Sequence, residues 1–163
     1  MPLRVGIAGY GLAGRYFHAP LLRGCGFEVV AIQTSNVERS AHALADFPNT
    51  TVVATIEELV AQPLDLVIVA SANLVHSQHA LTAIKAGIPV VVDKPMGRTL
   101  TETQQIIAAG EAAGVGVSTF FNRRWDSDAL TIKKVLSSGV LGHVHRIDSR
   151  FERFRPDLNA SSW

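Results

Sequence analysis

A doubly wound α/β fold, a parallel β-sheet with helices on both faces, is what this sequence predicts, on three observations. Short runs of Val, Ile, Leu and Ala alternate with helix-length stretches from Leu3 to Thr119. A glycine-rich turn, Gly9-Tyr10-Gly11-Leu12-Ala13-Gly14, joins the first run to the first helix. Several runs are apolar throughout, as in strands buried on both faces. Strands separated by single helices must pair in parallel through right-handed crossovers.

Each element has its own signal. Leu3–Ala8 predicts the first strand, and a helical stretch follows from about Leu12 to Leu22. Phe27–Ile32 predicts a second strand and Val37–Ala45 a second helix. Thr51–Val53 is a short third strand, after which Thr55 is placed to cap a helix through Glu57, Glu58 and Val60. Leu64–Ala70 reads as a fully buried strand. A helix over Leu74–Ala86 is closed by Gly87 as a C-terminal cap. Ile88–Val92 is the next strand, Thr101–Ala113 a helix ended by Gly114, and Val115–Thr119 a last strand. These define a nucleotide-binding domain over residues 1–121. After Phe121 the pattern changes, so residues 122–163 are assigned to a second, incomplete domain. There Asp128–Leu136 predicts a helix, and the alternation of His143–Arg155 predicts a strand with unlike faces. Pro156–Trp163 has no pattern.

Composition narrows the function classes. The chain has 163 residues, 47% hydrophobic and 18% charged, which suits a globular domain with a sizeable core. Fifteen basic against 14 acidic residues leave a net charge of +1. That gives no field for nucleic acid or an anionic membrane. Cys25 is the sole cysteine, which excludes an internal disulfide, and its Gly-Cys-Gly setting predicts a half-buried packing residue. With neither a signal peptide nor a membrane-length apolar run, the expectation is a soluble, cytoplasmic protein.

The glycine loop carries the first chemistry. Gly9 permits a tight turn, Gly11 lets a pyrophosphate approach the backbone, and Gly14 lets the helix sit close to its strand. The amides of Leu12, Ala13 and Gly14 open the helix and face the phosphate charge. About twenty residues on, an acidic residue normally holds the adenosine ribose. Here that place reads Ile32-Gln33-Thr34-Ser35-Asn36, with no carboxylate. Thr34, Ser35 and Asn36 can donate hydrogen bonds to a 2′-phosphate and Arg39 can add charge, so the cofactor expected is NAD(P), with NADP favoured over NAD. Ser35 and Asn36 also suit capping of the next helix.

A second motif, Asp93-Lys94-Pro95, follows a buried strand at the edge where such sheets bind ligands. A lysine there can exchange a proton with a substrate oxygen as hydride moves, and Pro95 would fix the backbone. By itself the tripeptide is also an ordinary polar turn. It stands, however, in order with Gly9–Gly14, Ser71-Ala72-Asn73, His76, His79-Ala80-Leu81 and Asn122-Arg123-Arg124-Trp125-Asp126. Gly142-His143-Val144 and Phe151-Glu152-Arg153-Phe154 continue that order. Together they resemble the Gfo/Idh/MocA family of oxidoreductases, over essentially the whole chain.

That resemblance implies a Rossmann fold and an enzyme moving hydride between NAD(P) and a sugar, polyol or related hydroxyl substrate. It makes Lys94 the catalytic lysine, with Asp93 in place of the more usual glutamate. Ser71 and Asn73 match the turn beside the cofactor, His76 a histidine that follows it, and Asn122 and Arg123 the loop near the nicotinamide. It also implies that 122–163 begins a larger α/β domain, so the chain alone binds cofactor without efficient turnover, and the full-length protein forms a homo-oligomer. A non-catalytic nucleotide sensor is the alternative. His76 and His79 could share a metal by their spacing, but lack a third ligand, so no metal site is assigned. His143 and His145 would share one strand face, and Trp125 and Trp163 are expected to pack.

Overall fold

The computed structural model describes residues 1–154 and 156. Two compact units divide the chain, the first Met1–Phe120 and the second beginning at Phe121.

The first unit is the predicted doubly wound sheet. Six strands, β1 (Arg4–Ala8), β2 (Glu28–Gln33), β3 (Thr51–Val53), β4 (Leu66–Val69), β5 (Val90–Val92) and β6 (Val117–Thr119), lie in the order β3-β2-β1-β4-β5-β6. All five pairings are parallel. Helices α1 (Ala19–Gly24), α2 (Val37–Asp46), α3 (Ile56–Val60), α4 (His76–Lys85) and α5 (Leu100–Ala113) make the crossovers. The period of two along the strands separates two cores. Val5 and Ile7 of β1 with Ile68 of β4 join Leu22 and Ala43 on the face of α1 and α2. Ala8, Val67 and Val69 join Leu59, Ala83, Ile84 and Ile106 on the face of α3, α4 and α5. Both faces of β1 and β4 are therefore dry, which is why these strands read as unbroken apolar runs.

Local chemistry sets the helix ends. Thr55 forms a complete capping box: its hydroxyl accepts from the Glu58 amide while the Glu58 carboxylate accepts from the Thr55 amide. Thr99 and Asn36 cap α5 and α2 in the same way through the amides of Glu102 and Arg39. Gly87 and Gly114 close their helices with φ of +75° and +67°, the left-handed region that glycine enters freely.

Several expectations are corrected. The first helix does not run uniformly from Leu12: residues Gly14–His18 form a π-helical turn before α1, with the Ala19 amide bonded to the Gly14 carbonyl. Pro20 accounts for it, because it offers no N–H to the Tyr16 carbonyl and its ring would press on that group. The helix expected from Leu74 begins instead as a 3₁₀ turn, Asn73–Val75. Cys25 is exposed. The second unit holds a 3₁₀ turn, Asn122–Trp125, and helix α6, Ser127–Ser137. The strand predicted over His143–Arg155 is absent among the described residues, which lie in irregular backbone after α6. A ladder needs two strands, and no partner edge is offered to this one. Arg155 itself lies outside the described residues, as do residues 157–163 with the packing role expected of Trp163. The rings of His143 and His145 meet edge to face at 4.5 Å, and Trp125 is exposed rather than packed.

Candidate functional site

Parallel pairing brings every strand's C-terminal end to one edge, and the registers make those ends level. Ala8 pairs with Gln33 on one side and Val69 on the other, Val69 with Val92, and Val92 with Thr119. The ladder continues one residue further, as the amides of Ala70, Asp93 and Phe120 donate to the carbonyls of Ala8, Val69 and Val92 at 2.8 Å each. Strand order reverses between β1 and β4, so the crevice of an open α/β sheet opens there. The loops bordering it carry Gly9–Gly14 after β1, Ser71 and Asn73 after β4, and Asp93 and Lys94 after β5.

The glycine loop has no room for side chains. Gly9 holds φ +94°, and a Cβ on it would stand 2.5 Å from the Ser71 Cα and 2.8 Å from the Ala70 carbonyl oxygen. A Cβ on Gly14 would overlap the Gly9 carbonyl. The first backbone bond of the following helix runs from the Arg15 amide to the Gly11 carbonyl at 2.9 Å. The amides of Leu12, Ala13 and Gly14 precede it and remain available to an anion. Tyr10 is buried beneath the loop and donates its phenol to Asp46 Oδ2 at 3.0 Å, where Arg15 Nε also donates at 2.8 Å. Burial, with Asp46 adding to it, raises the Tyr10 phenol well above its usual range, and the Arg15 guanidinium holds Asp46 low. The Asp46 carboxylate is thereby directed at its own partners.

The β2 side of the crevice carries Thr34, Ser35, Asn36 and one cation, Arg39. Thr34 is buried, its hydroxyl accepting from the Asn36 amide at 3.3 Å, and Asn36 caps α2. Ser35 is exposed. The Arg39 guanidinium lies over Gly11, 3.6–3.9 Å from where a Cβ would be. Among the described residues it makes no ion pair.

On the other side, Lys94 is exposed, and its amide donates to Asp93 Oδ1 at 2.8 Å. The Lys94–Pro95 bond is cis. Asn73 is exposed at the start of its 3₁₀ turn, and Ser71 is partly buried. His76, expected to touch cofactor, is instead 1% exposed, with Nδ1 at 2.8 Å from the Pro95 carbonyl oxygen and Nε2 at 3.0 Å from that of Ser71. Both nitrogens thus face main-chain acceptors, and because a neutral imidazole carries one N–H the ring donates to one of the two carbonyls, according to its tautomer, and to both only when both nitrogens carry protons. His79 is bonded to neither turn, and burial lowers its imidazole below the usual 6.5. Among the described residues no three His, Cys, Asp or Glu side chains gather as a metal site would need. Asn122 and Arg123 belong to the second unit, where Arg123 pairs with Asp126 at 2.9 Å and lies over the Phe151 ring.

One residue of this edge escaped sequence reasoning. His18 ends the π-helical turn, buried, its ring 4.3 Å from that of Phe120 and its Nε2 4.0 Å from Asp93 Oδ2. That nitrogen has no hydrogen-bond partner. Burial lowers the imidazole below its ordinary value, and the Asp93 carboxylate opposes the shift. The only sequence signal was position: four residues beyond Gly14, it lies on the helix face that the glycine turns toward the strands.

Residues 3–121 match the Gfo/Idh/MocA oxidoreductase family, NAD-binding Rossmann fold. The uncharacterized oxidoreductase YdgJ of Escherichia coli is 42% identical over 96% of this chain and 45% of its own length. The scyllo-inositol 2-dehydrogenase (NADP(+)) IolW of Bacillus subtilis is 39% identical over 97% and 44%. The chain thus spans less than half the length of the relatives it matches. Among solved structures, an oxidoreductase from Yersinia pestis superposes with a TM-score of 0.88 at 39% identity, covering 97% of this chain and 45% of that one. The scyllo-inositol dehydrogenase of Lactobacillus casei, solved with NAD(H) and scyllo-inositol, shares the fold at 20% identity and a TM-score of 0.79, over 87% and 43%. No helix among the described residues is long and apolar enough to cross a membrane.

Proposed function

This chain belongs to the Gfo/Idh/MocA oxidoreductase family, and from that premise we propose that it is the NADP(H)-holding part of an enzyme acting on a CH–OH group of a sugar or polyol. The observation that carries the reading is the shared edge: the glycine loop and an exposed lysine, without an ion pair among the described residues, follow the level ends of β1 and β5, on either side of the strand-order reversal. The fit to a dinucleotide rests on the loop itself: a Cβ at Gly9 or Gly14 would collide with the backbone of Ser71, Ala70 or Gly9, so glycine is what lets the loop turn tightly into the helix whose first amides would meet a pyrophosphate.

The nicotinamide, when bound, accepts or returns a hydride. This chain's residues do the rest. Leu12, Ala13 and Gly14 seat the diphosphate by their amides. Lys94 Nζ takes the hydroxyl proton as the C–H hydride leaves, or returns it in the reverse direction. Asp93 fixes the start of the lysine turn. Residues 1–121 form the cofactor domain, and 122–163 begin the domain that would complete the substrate pocket. The IolW relative acts on a cyclic polyol by its name, which supports the substrate class.

Arg39 favours NADP(H) over NAD(H). Its guanidinium stands over the loop where a 2′-phosphate would need a cation, Ser35 is exposed and able to donate a hydrogen bond, and residues 32–36 at the end of β2 hold no carboxylate, the nearest acid in sequence being Glu38 in the first turn of α2. Titrating the chain with both reduced coenzymes by fluorescence tests this. NADPH should bind more tightly, and Arg39→Ala should weaken NADPH about tenfold to a hundredfold, the loss of a charge-assisted phosphate contact, while leaving NADH nearly unchanged. Equal losses for the two coenzymes would remove Arg39 from the discrimination. In the full-length enzyme, undiminished polyol oxidation by Lys94→Ala would leave a non-catalytic nucleotide-binding role for that turn.

A further inference from the structure

The geometry points to His76 as a positioning residue that sets Lys94 relative to the glycine loop; this rests on the reading that Lys94 and the loop serve one dinucleotide. Little else holds the lysine. Lys94 follows the last residue pair of β5 by two positions, beyond the ladder, and its side chain is exposed. Its own amide is tied to Asp93 Oδ1 at 2.8 Å. One peptide further on, the Pro95 carbonyl oxygen lies 2.8 Å from His76 Nδ1. With both neighbours fixed, only the rotamers of the lysine side chain stay free.

The other ring nitrogen gives the contact its meaning. Nε2 lies 3.0 Å from the Ser71 carbonyl oxygen, so one imidazole spans the turns that follow β4 and β5. Ser71 in turn lies against Gly9, close enough that a single methyl there would stand 2.5 Å from its Cα. The sequence Lys94, Pro95, His76, Ser71, Gly9 is thus an unbroken series of covalent bonds and short contacts from the proposed proton carrier to the phosphate cradle. A buried ring is stiff in two directions at once, which a solvent-exposed side chain is not. With 1% exposure, His76 cannot itself reach cofactor or substrate. It acts through Lys94.

The test separates the two nitrogens. An asparagine amide nitrogen stands where Nδ1 stands and a glutamine amide nitrogen where Nε2 stands, so His76→Asn can keep the Pro95 bond and His76→Gln only the Ser71 bond. His76→Leu keeps neither. Amide hydrogen exchange of the 93–97 segment, read against β1 and β4, reports the clamp without any ligand. The expected result is about tenfold faster exchange at Lys94 and Met96 in His76→Leu and His76→Gln, with β1 and β4 unchanged, and near-normal exchange in His76→Asn. A second readout is acetylation of Lys94 followed by mass spectrometry. NADPH should protect Lys94 in the parent chain and in His76→Asn, but protect it about tenfold less in the other two variants.

Unchanged exchange at residues 93–97 in His76→Leu, or equal NADPH protection of Lys94 in all variants, overturns the proposal. Should His76→Leu not fold, the asparagine and glutamine variants decide alone, and identical behaviour of the two defeats it. A parent chain that binds neither coenzyme defeats the proposed function instead, and the exchange comparison still judges the clamp.

Discussion

Three glycines separate two physical costs that the glycine loop combines. Gly24 ends α1 without a positive φ, and a Cβ there would meet nothing within 4 Å. Gly87 also has open space but holds φ +75°. Gly9 has both constraints, φ +94° and backbone atoms of Ser71 and Ala70 at 2.5–2.8 Å from an added Cβ. Alanine at each site removes a similar amount of unfolded-state freedom, about 0.4–1 kcal/mol in favour of folding, so that contribution cancels between variants. Left-handed backbone costs an L-residue about 1–2 kcal/mol. Forcing an atom into a packed site adds about 1–3 kcal/mol. Gly24→Ala should then be neutral or slightly stabilising, Gly87→Ala less stable than Gly24→Ala by the strain alone, and Gly9→Ala less stable than Gly24→Ala by about 2–5 kcal/mol. That is a large share of the roughly 5–15 kcal/mol that holds a domain folded. Guanidinium denaturation of the three variants measures the series, with an unchanged m-value required for the comparison. A Gly9→Ala midpoint equal to that of Gly87→Ala would show that Ser71 yields freely, and the account of the loop as a rigid cradle would fail.

Two further outcomes follow. Thr55→Ala breaks both bonds of the capping box and should cost about 1 kcal/mol by denaturation, while Thr55→Ser stays near the parent; equal losses would deny the hydroxyl its role. Burial holds His18 and His79 below the ordinary 6.5 in the folded chain, so the unfolded chain takes up protons first as pH falls through that value. Stability should therefore decline from pH 7.5 to 5.5. Asp46, Asp65 and Glu102, held low by Arg15, Arg4 and Arg98, lose their contribution only further down, below their ordinary values near 4. A denaturation midpoint that is flat from pH 7.5 to 5.5 and falls only below 4 would refute the histidine part.

The sheet was legible because its determinants are local in the chain. The apolar runs at β1, β4 and β5 needed no partner to be recognised, and Thr55, Gly87 and Gly114 mark helix ends by chemistry that acts within a few residues. Strand ends were read one or two residues long, as at Leu64–Ala70 against Leu66–Val69, because apolar residues continue past the ladder into buried loop. The alternation at His143–Phe154 failed for the opposite reason. It describes what one edge could do, and pairing depends on a second edge that the pattern itself does not contain.

The site divides along the same line. That Gly9, Gly11, Gly14 and Lys94 stand in the turns after β1 and β5 was legible because a glycine turn between strand and helix, and a polar turn after an apolar run, are local patterns. Arg39 was placed near the loop by counting along α2, and the fold brings it over Gly11. His18 and the true task of His76 were not visible in that way. The ring nitrogens of His76 lie within hydrogen-bond distance of the carbonyl oxygens of Ser71 and Pro95, five and 19 residues away on opposite sides in sequence. Backbone carbonyls are the same on every residue, so no side-chain pattern names them as partners. Only the registers of β4 and β5, Val69 level with Val92, bring those two oxygens within reach of one imidazole. A buried histidine whose partners are main-chain atoms on neighbouring strand tips therefore reads, in sequence, like any packed ring. Its role exists only once parallel strands have set their ends level, so the positions that aim a catalytic turn in such a sheet are to be sought among buried polar side chains at the strand ends.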